Sequence, residues 1–134
     1  MPRPATTTPR GETFLRTAAV LQSVALFFQA STAGLLLTSS RAYTLHDYGS
    51  KVMYGAAMLY VLATILAWRP GGGSARPIVY STGFLLLASA QVALGIAHVA
   101  ALHVPLGVLM FALSTLALVR VLSARAPLRP ATGS

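Results

Sequence analysis

Four long apolar stretches, separated by short polar segments, make up most of this chain. Each is about 19–23 residues long, enough for a helix to cross a hydrocarbon core of about 30 Å. They are Leu15–Leu37, Tyr48–Trp68, Ile78–Ala97 and Val104–Leu122. The pattern predicts four transmembrane helices in one domain, residues 14–123. We expect the flanking segments 1–13 and 124–134 to be disordered, since they are rich in Pro, Thr and Arg.

The connections between the apolar stretches predict how the helices are arranged. A Pro- and Gly-rich segment, Arg69–Pro77, separates the second stretch from the third and is expected to be flexible. Very few residues join the third stretch to the fourth, which favours antiparallel neighbours. The predicted fold class is therefore all-α, an up-down-up-down integral membrane four-helix bundle. Small residues permit close helix packing in lipid. We expect this role for Ala30, Ser31, Ala33 and Gly34 in the first helix and for Ala88, Ser89, Ala93 and Gly95 in the third.

Charge predicts the orientation of the bundle. The chain is 55% hydrophobic and 9% charged, with a net charge of +8. Eight of its ten Lys and Arg residues fall on one side of the predicted spans: Arg3, Arg10, Arg16, Arg69, Arg76, Arg120, Arg125 and Arg129. The positive-inside rule then predicts a multi-pass protein of the cytoplasmic membrane with both termini cytoplasmic. Basic segments so placed meet anionic lipid headgroups rather than nucleic acid.

A pattern L-H-x6-M-aromatic occurs twice. Leu45-His46 precedes Met53-Tyr54, and Leu102-His103 precedes Met110-Phe111. Each copy opens an apolar stretch, the second or the fourth. In a sequentially wound bundle these two helices run parallel and lie diagonally opposite. The pattern therefore predicts that His46 and His103 share a depth near the outer surface and face each other across the interior. Cysteine is absent, so thiolate metal sites and disulfides are excluded.

Helical spacing places two further residues on the same helix face as each histidine. Gly49 and Met53 share a face with His46, and the corresponding residues of the second copy are Gly107 and Met110. A glycine one turn away leaves room for a flat macrocycle, and methionine offers an adaptable apolar contact. Histidines facing a bundle interior are an established means of holding haem iron. The predicted cofactor is haem b, with His46 and His103 as axial ligands.

The remaining polar residues have several interpretations. Arg41 and Lys51 are the cations on the predicted outer side and are candidates to meet haem propionates. His98 is a substitute ligand, a hydrogen-bond partner or merely interfacial. Three glutamines fall inside predicted spans, and interhelical hydrogen bonds are their expected role. A contact with a quinone or a haem edge is the alternative. They are Gln22, Gln29 and Gln91.

The stretch from Leu45 to Arg69, followed by Ala90 to Leu122, resembles one half of a haem A synthase. That family consists of four-helix halves with a histidine opening the second and fourth helices, which implies haem ligation by His46 and His103. The family's glutamate before the first histidine is absent, and Tyr43 and Thr44 occupy its neighbourhood. The resemblance therefore does not extend to haem hydroxylation. Overall, the chain is also similar to a small uncharacterised bacterial four-helix membrane protein family with matching histidines.

Several functions are compatible with these residues. The leading hypothesis is a bis-histidine haem protein in electron transfer or haem handling, not an enzyme by itself. Its expected partners are the lipid bilayer and a redox protein or quinone, within a homodimer or larger membrane complex. The alternative is a cofactor-free structural or accessory subunit. A proton-coupled efflux transporter needs an acidic residue in the middle of a span, and this chain has none there. A zinc or copper site built from His46, His98 and His103 is a further minority interpretation.

Overall fold

The computed structural model describes residues 9–69 and 74–124, which form an all-α, up-down four-helix bundle. The helices are α1 (Pro9–Leu36), α2 (Ala42–Trp68), α3 (Arg76–Ile96) and α4 (Ala100–Ser123). Each contains a segment that is long and apolar enough to cross a membrane. The prediction of an all-α, up-down bundle of four helices is therefore confirmed.

Helix ends differ from the predicted spans. α1 begins at Pro9, inside the segment 1–13 that we expected to be disordered, and α2 begins at Ala42 rather than Tyr48. An apolar stretch stops where polar side chains begin, whereas backbone hydrogen bonds continue through polar residues at headgroup depth. His46 consequently lies inside α2 and not before it. Residues 1–8, 70–73 and 125–134, which include most of both predicted tails and the centre of the linker, lie outside the described residues.

The helices pack in ring order. α1 lies against α2 and α4, and α3 lies against the same two helices. Within residues 9–69 and 74–124, neither diagonal pair, α1 with α3 or α2 with α4, has backbones in close contact. The most extensive contact joins α1 to α2. The two helices that carry the histidines, α2 and α4, therefore lie diagonally opposite, as predicted. Contacts across the centre of the bundle can be made only by side chains.

Small side chains form much of the buried interior. Ala18, Ala63 and Ala88 are fully buried, whereas many Leu, Val and Phe residues lie on the outer surface. This distribution suits a bundle in lipid, where close packing rather than the hydrophobic effect holds helices together. Of the small residues that we expected to pack closely, Ala88 does so, whereas Gly34 does not: a Cβ added to Gly34 would meet nothing within 4 Å. The buried alanines of α1 instead lie nearer its N-terminus.

Hydrogen bonds between side chains connect two of the helix pairs away from the histidines. Ser23 Oγ lies 2.9 Å from Ser114 Oγ, joining α1 to α4. Gln22 Nε2 donates to the same Ser114 hydroxyl over 3.5 Å. Thr64 Oγ1 lies 2.9 Å from Ser81 Oγ, joining α2 to α3. In lipid these contacts also satisfy polar groups that would otherwise be unpaired.

The turn between α3 and α4 explains the position of His98. The Val99 N–H donates to the Leu94 carbonyl over 3.0 Å, and the His98 N–H donates to the Gly95 carbonyl over 3.1 Å. These are the bonds of a Schellman motif, whose central residue adopts the left-handed conformation. His98 has φ 56° and is exposed. Histidine is among the residues enriched at positive φ, so His98 ends α3 and redirects the chain into α4.

Candidate functional site

The imidazole rings of His46 and His103 meet in the interior of the bundle. Their centroids are 6.2 Å apart, and the ring planes are inclined by 71°. The rings belong to α2 and α4, which have no close backbone contact of their own within the described residues. The two side chains therefore bridge the diagonal of the bundle. The structure brings together the two residues that the repeated sequence pattern had paired.

Each histidine is held by a glutamine from the preceding helix. Gln29 Nε2 of α1 donates to the His46 carbonyl over 3.0 Å, and Gln91 Nε2 of α3 donates to the His103 carbonyl over 2.8 Å. Gln29 Nε2 also lies 3.4 Å from His46 Nε2. The expected interhelical role of these two glutamines is confirmed. The arrangement occurs once in each helical hairpin, so the repeat in sequence is also a repeat in structure.

The glycine near each histidine makes room for that glutamine. A Cβ on Gly107 would lie 2.9 Å from Gln91 Nε2. A Cβ on Gly49 would overlap Gln29 Oε1 and lie 3.0 Å from a ring carbon of Phe28. The sequence interpretation was that these glycines leave space for a macrocycle. The structure instead shows a glutamine amide over each of them.

The Nδ1 atom of each imidazole also has a partner. His46 Nδ1 lies 3.0 Å from Thr32 Oγ1, and His103 Nδ1 lies 3.0 Å from the Gln91 carbonyl oxygen. Thr32 is buried, with 2% of its surface exposed. Hydrogen bonds at Nδ1 fix the orientation of a ring and leave Nε2 as the nitrogen that can bind a metal ion, although Nε2 of His46 lies beside the Gln29 amide in this structure.

Both rings line a cavity of about 810 Å³ that is partly open to the outside. All four helices contribute to its wall, which is mostly apolar, and the volume lies in the range of about 300–1,000 Å³ typical of cofactor sites. Met53 and Met110, both predicted to contact a cofactor, line the cavity and are buried. Gly107 also lines it, whereas Gly49 faces α1.

The two predicted propionate partners lie in different places. Lys51 lines the cavity, but its Nζ is 2.8 Å from Asp47 Oδ2 and 5.1 Å from the centre of the Tyr48 ring. Asp47 therefore pairs with a lysine and not with an imidazole. Arg41 immediately precedes α2, is exposed, and does not line the cavity. Of the two cations, Lys51 alone lies where it can reach a cavity ligand.

The separation of the two imidazole rings matches the separation expected for two imidazoles on one iron. An imidazole nitrogen lies about 2 Å from a bound metal ion, and the ring centroid is about 1 Å further, so two rings on opposite sides have centroids about 6 Å apart. The observed separation is 6.2 Å. With both Nδ1 atoms engaged and apolar methionines beside the rings, the donor set and its surroundings suit a bis-histidine haem.

The geometry does not favour a metal ion held by three histidines. Among residues 9–69 and 74–124, no group of three His, Asp or Glu side chains is close enough to hold a metal ion. His98 lies in the α3–α4 turn and not in the cavity wall. A zinc or copper site that includes His98 therefore has no support.

Two polar contacts at the site were not foreseen from sequence. Thr32 contacts His46, and Tyr54 Oη, in the cavity wall, lies 3.1 Å from Ser89 Oγ. The sequence does contain a sign of the Thr32 contact: Thr32 follows Gln29 by three residues and hence shares its helix face.

No protein family, curated protein or solved structure matches the chain. Function is therefore argued from the geometry of this site.

Proposed function

We propose that this protein binds one haem b within the membrane, with His46 and His103 as its axial ligands. The observation that carries the proposal is the pair of inward-facing imidazoles, 6.2 Å apart in a cavity of about 810 Å³. Haem would supply reversible one-electron chemistry at its iron. The resemblance to one half of a haem A synthase is consistent with the same ligands.

The residues around the site have distinct roles in this proposal. His46 and His103 would hold the iron through Nε2, which for His46 requires the Gln29 amide to leave that nitrogen, while Thr32 and Gln91 hold their Nδ1 atoms. Two buried methionines, Met53 and Met110, line the same cavity and would give the haem adaptable apolar contacts. An iron with both axial positions filled by protein favours electron transfer or haem storage over oxygen binding.

Titration of haem b into detergent-purified protein tests the proposal. We expect saturation at one haem per chain, a sharp Soret band and a low-spin ferric spectrum. The cofactor-free alternative, a structural or accessory subunit, is favoured by a different observation: both histidines already have protein partners and help to join helices. Absence of saturable, low-spin haem in folded protein would support that alternative and contradict ours.

We further propose that the termini and the α2–α3 connection face the cytoplasm, on the charge distribution described above. The absence of cysteine makes a clean test available. Ser40 and Ser74 are both exposed, one between α1 and α2 and the other just before α3. In intact cells a membrane-impermeant maleimide should label Ser40→Cys and not Ser74→Cys, with both labelled after lysis. The reverse pattern would place the histidine site at the cytoplasmic face.

A further inference from the structure

The two histidines differ in what holds their Nδ1 atoms. The partner of His103 Nδ1 is the carbonyl oxygen of Gln91, at 3.0 Å. A carbonyl oxygen can only accept a hydrogen bond, so Nδ1 of His103 must carry the proton. Nε2 of that ring then holds the free lone pair that a metal ion requires.

The partner of His46 Nδ1 is a hydroxyl, which can donate or accept. Thr32 Oγ1 lies 3.0 Å from His46 Nδ1 and also 3.0 Å from the Gln29 carbonyl oxygen. The hydroxyl has one proton, and the carbonyl can take it only as an acceptor. With that proton directed to Gln29, Thr32 accepts from His46 Nδ1–H. Both imidazoles then have the same tautomer. At His46 the Gln29 amide favours it as well, because Gln29 Nε2 lies 3.4 Å from His46 Nε2 and can only donate to that nitrogen.

We infer that Thr32 is a positioning residue that stabilises the Nδ1–H tautomer and the ring orientation of His46 together with Gln29, and thereby tunes an iron bound at Nε2 of His46. The effect on iron rests on the proposed haem function, while the effect on the tautomer does not. Thr32 is suited to this role because it is buried, with 2% of its surface exposed, and because it comes from a different helix than His46. The acceptor for His103 Nδ1 is the main-chain carbonyl of Gln91, which a substitution cannot remove. Thr32 is therefore the Nδ1 partner that can be tested by mutation.

A hydrogen bond from Nδ1–H to an acceptor makes Nε2 a stronger ligand. Losing such an outer partner typically weakens metal binding by about 10–100-fold. When the imidazole becomes a weaker ligand, the ferric complex loses more stability than the ferrous complex. The midpoint potential should therefore become more positive. Val has nearly the shape of Thr and lacks the hydroxyl, whereas Ser retains the hydroxyl. Thr32→Val and Thr32→Ser therefore separate the hydrogen bond from the packing.

The test uses the full-length protein with ¹⁵N-labelled histidine, first without haem. Wild type should show the Nδ1–H tautomer for both His46 and His103. Thr32→Val should raise the fraction of the Nε2–H tautomer for His46 alone, against the remaining preference imposed by Gln29, and Thr32→Ser should resemble wild type. Thr115→Val is the matched control, because Thr115 Oγ1 donates to the Phe111 carbonyl over 2.9 Å in the same way, on an exposed helix face.

The second measurement uses haem-loaded protein. Thr32→Val should bind haem about tenfold or more weakly and have a more positive midpoint potential, while Thr32→Ser and Thr115→Val stay close to wild type. If His46 keeps its tautomer in Thr32→Val, or if Thr32→Ser behaves like Thr32→Val, the inference is wrong. If the tautomers respond as stated but wild type does not bind haem, the positioning role stands and the proposed function fails.

Discussion

Replacing either His46 or His103 with alanine should abolish the low-spin haem spectrum. Each variant removes one of the two imidazoles that face each other at 6.2 Å, so an iron in the cavity keeps one protein ligand at most. Haem affinity should fall by on the order of 100-fold or more, beyond the loss expected for an outer-sphere partner. The measurement is a haem titration followed by Soret absorbance, with electron paramagnetic resonance of the ferric protein.

Two controls separate ligation from general damage to the fold. Free imidazole, added to either variant, should enter the space left by the alanine and restore part of the low-spin signal. His98→Gly removes the third histidine, which lies in the α3–α4 turn at φ 56°, where glycine is better accommodated. This variant should bind haem like wild type. Wild-type behaviour in His46→Ala or His103→Ala, or haem loss in His98→Gly, would contradict the assignment of ligands.

Much of the bundle could be predicted because lipid imposes a simple rule on sequence. A spanning segment must be a helix and must be apolar, so four apolar stretches predict four helices. The diagonal placement of His46 and His103 followed from short connections and ring order. Helix ends were less predictable, since the start of α2 at Ala42 depends on backbone bonds that continue through polar residues.

The residues that hold the histidines were harder to foresee. The contact between Thr32 and His46 depends on how far α1 is rotated about its axis, and hydropathy contains no information on rotation when most outward positions are apolar. The same limitation led to the wrong expectation for Gly34, which lies in an open part of the surface. His98 was ambiguous for another reason: a left-handed turn residue is usually glycine, so histidine gave no sign of it.

The repeated glutamine and glycine contacts predict a large effect on stability. Gly49→Ala would place a methyl group against Gln29 Oε1 and Phe28, and Gly49 itself is buried. Gln29 Oε1 is the end of a flexible side chain, but moving it would strain or break the hydrogen bond from Gln29 Nε2 to the His46 carbonyl. We expect a loss of about 1–3 kcal/mol in the free energy of unfolding, as is usual when a packed interior is overfilled. Reversible unfolding in mixed detergent measures this quantity.

Gly34→Ala is the matched control for that substitution. Both glycines are helical, but a Cβ on Gly34 meets nothing within 4 Å. Alanine favours helix over glycine by about 1 kcal/mol, so this variant should be as stable as wild type or more stable. Combining Gly49→Ala with Gln29→Ala should recover part of the loss, because the shorter side chain no longer reaches the added methyl group. A Gly49→Ala protein as stable as Gly34→Ala would show that Gln29 does not occupy the space over Gly49. The hydrogen bond from Gln29 Nε2 to the His46 carbonyl would then have to form with the Gln29 side chain in a different position.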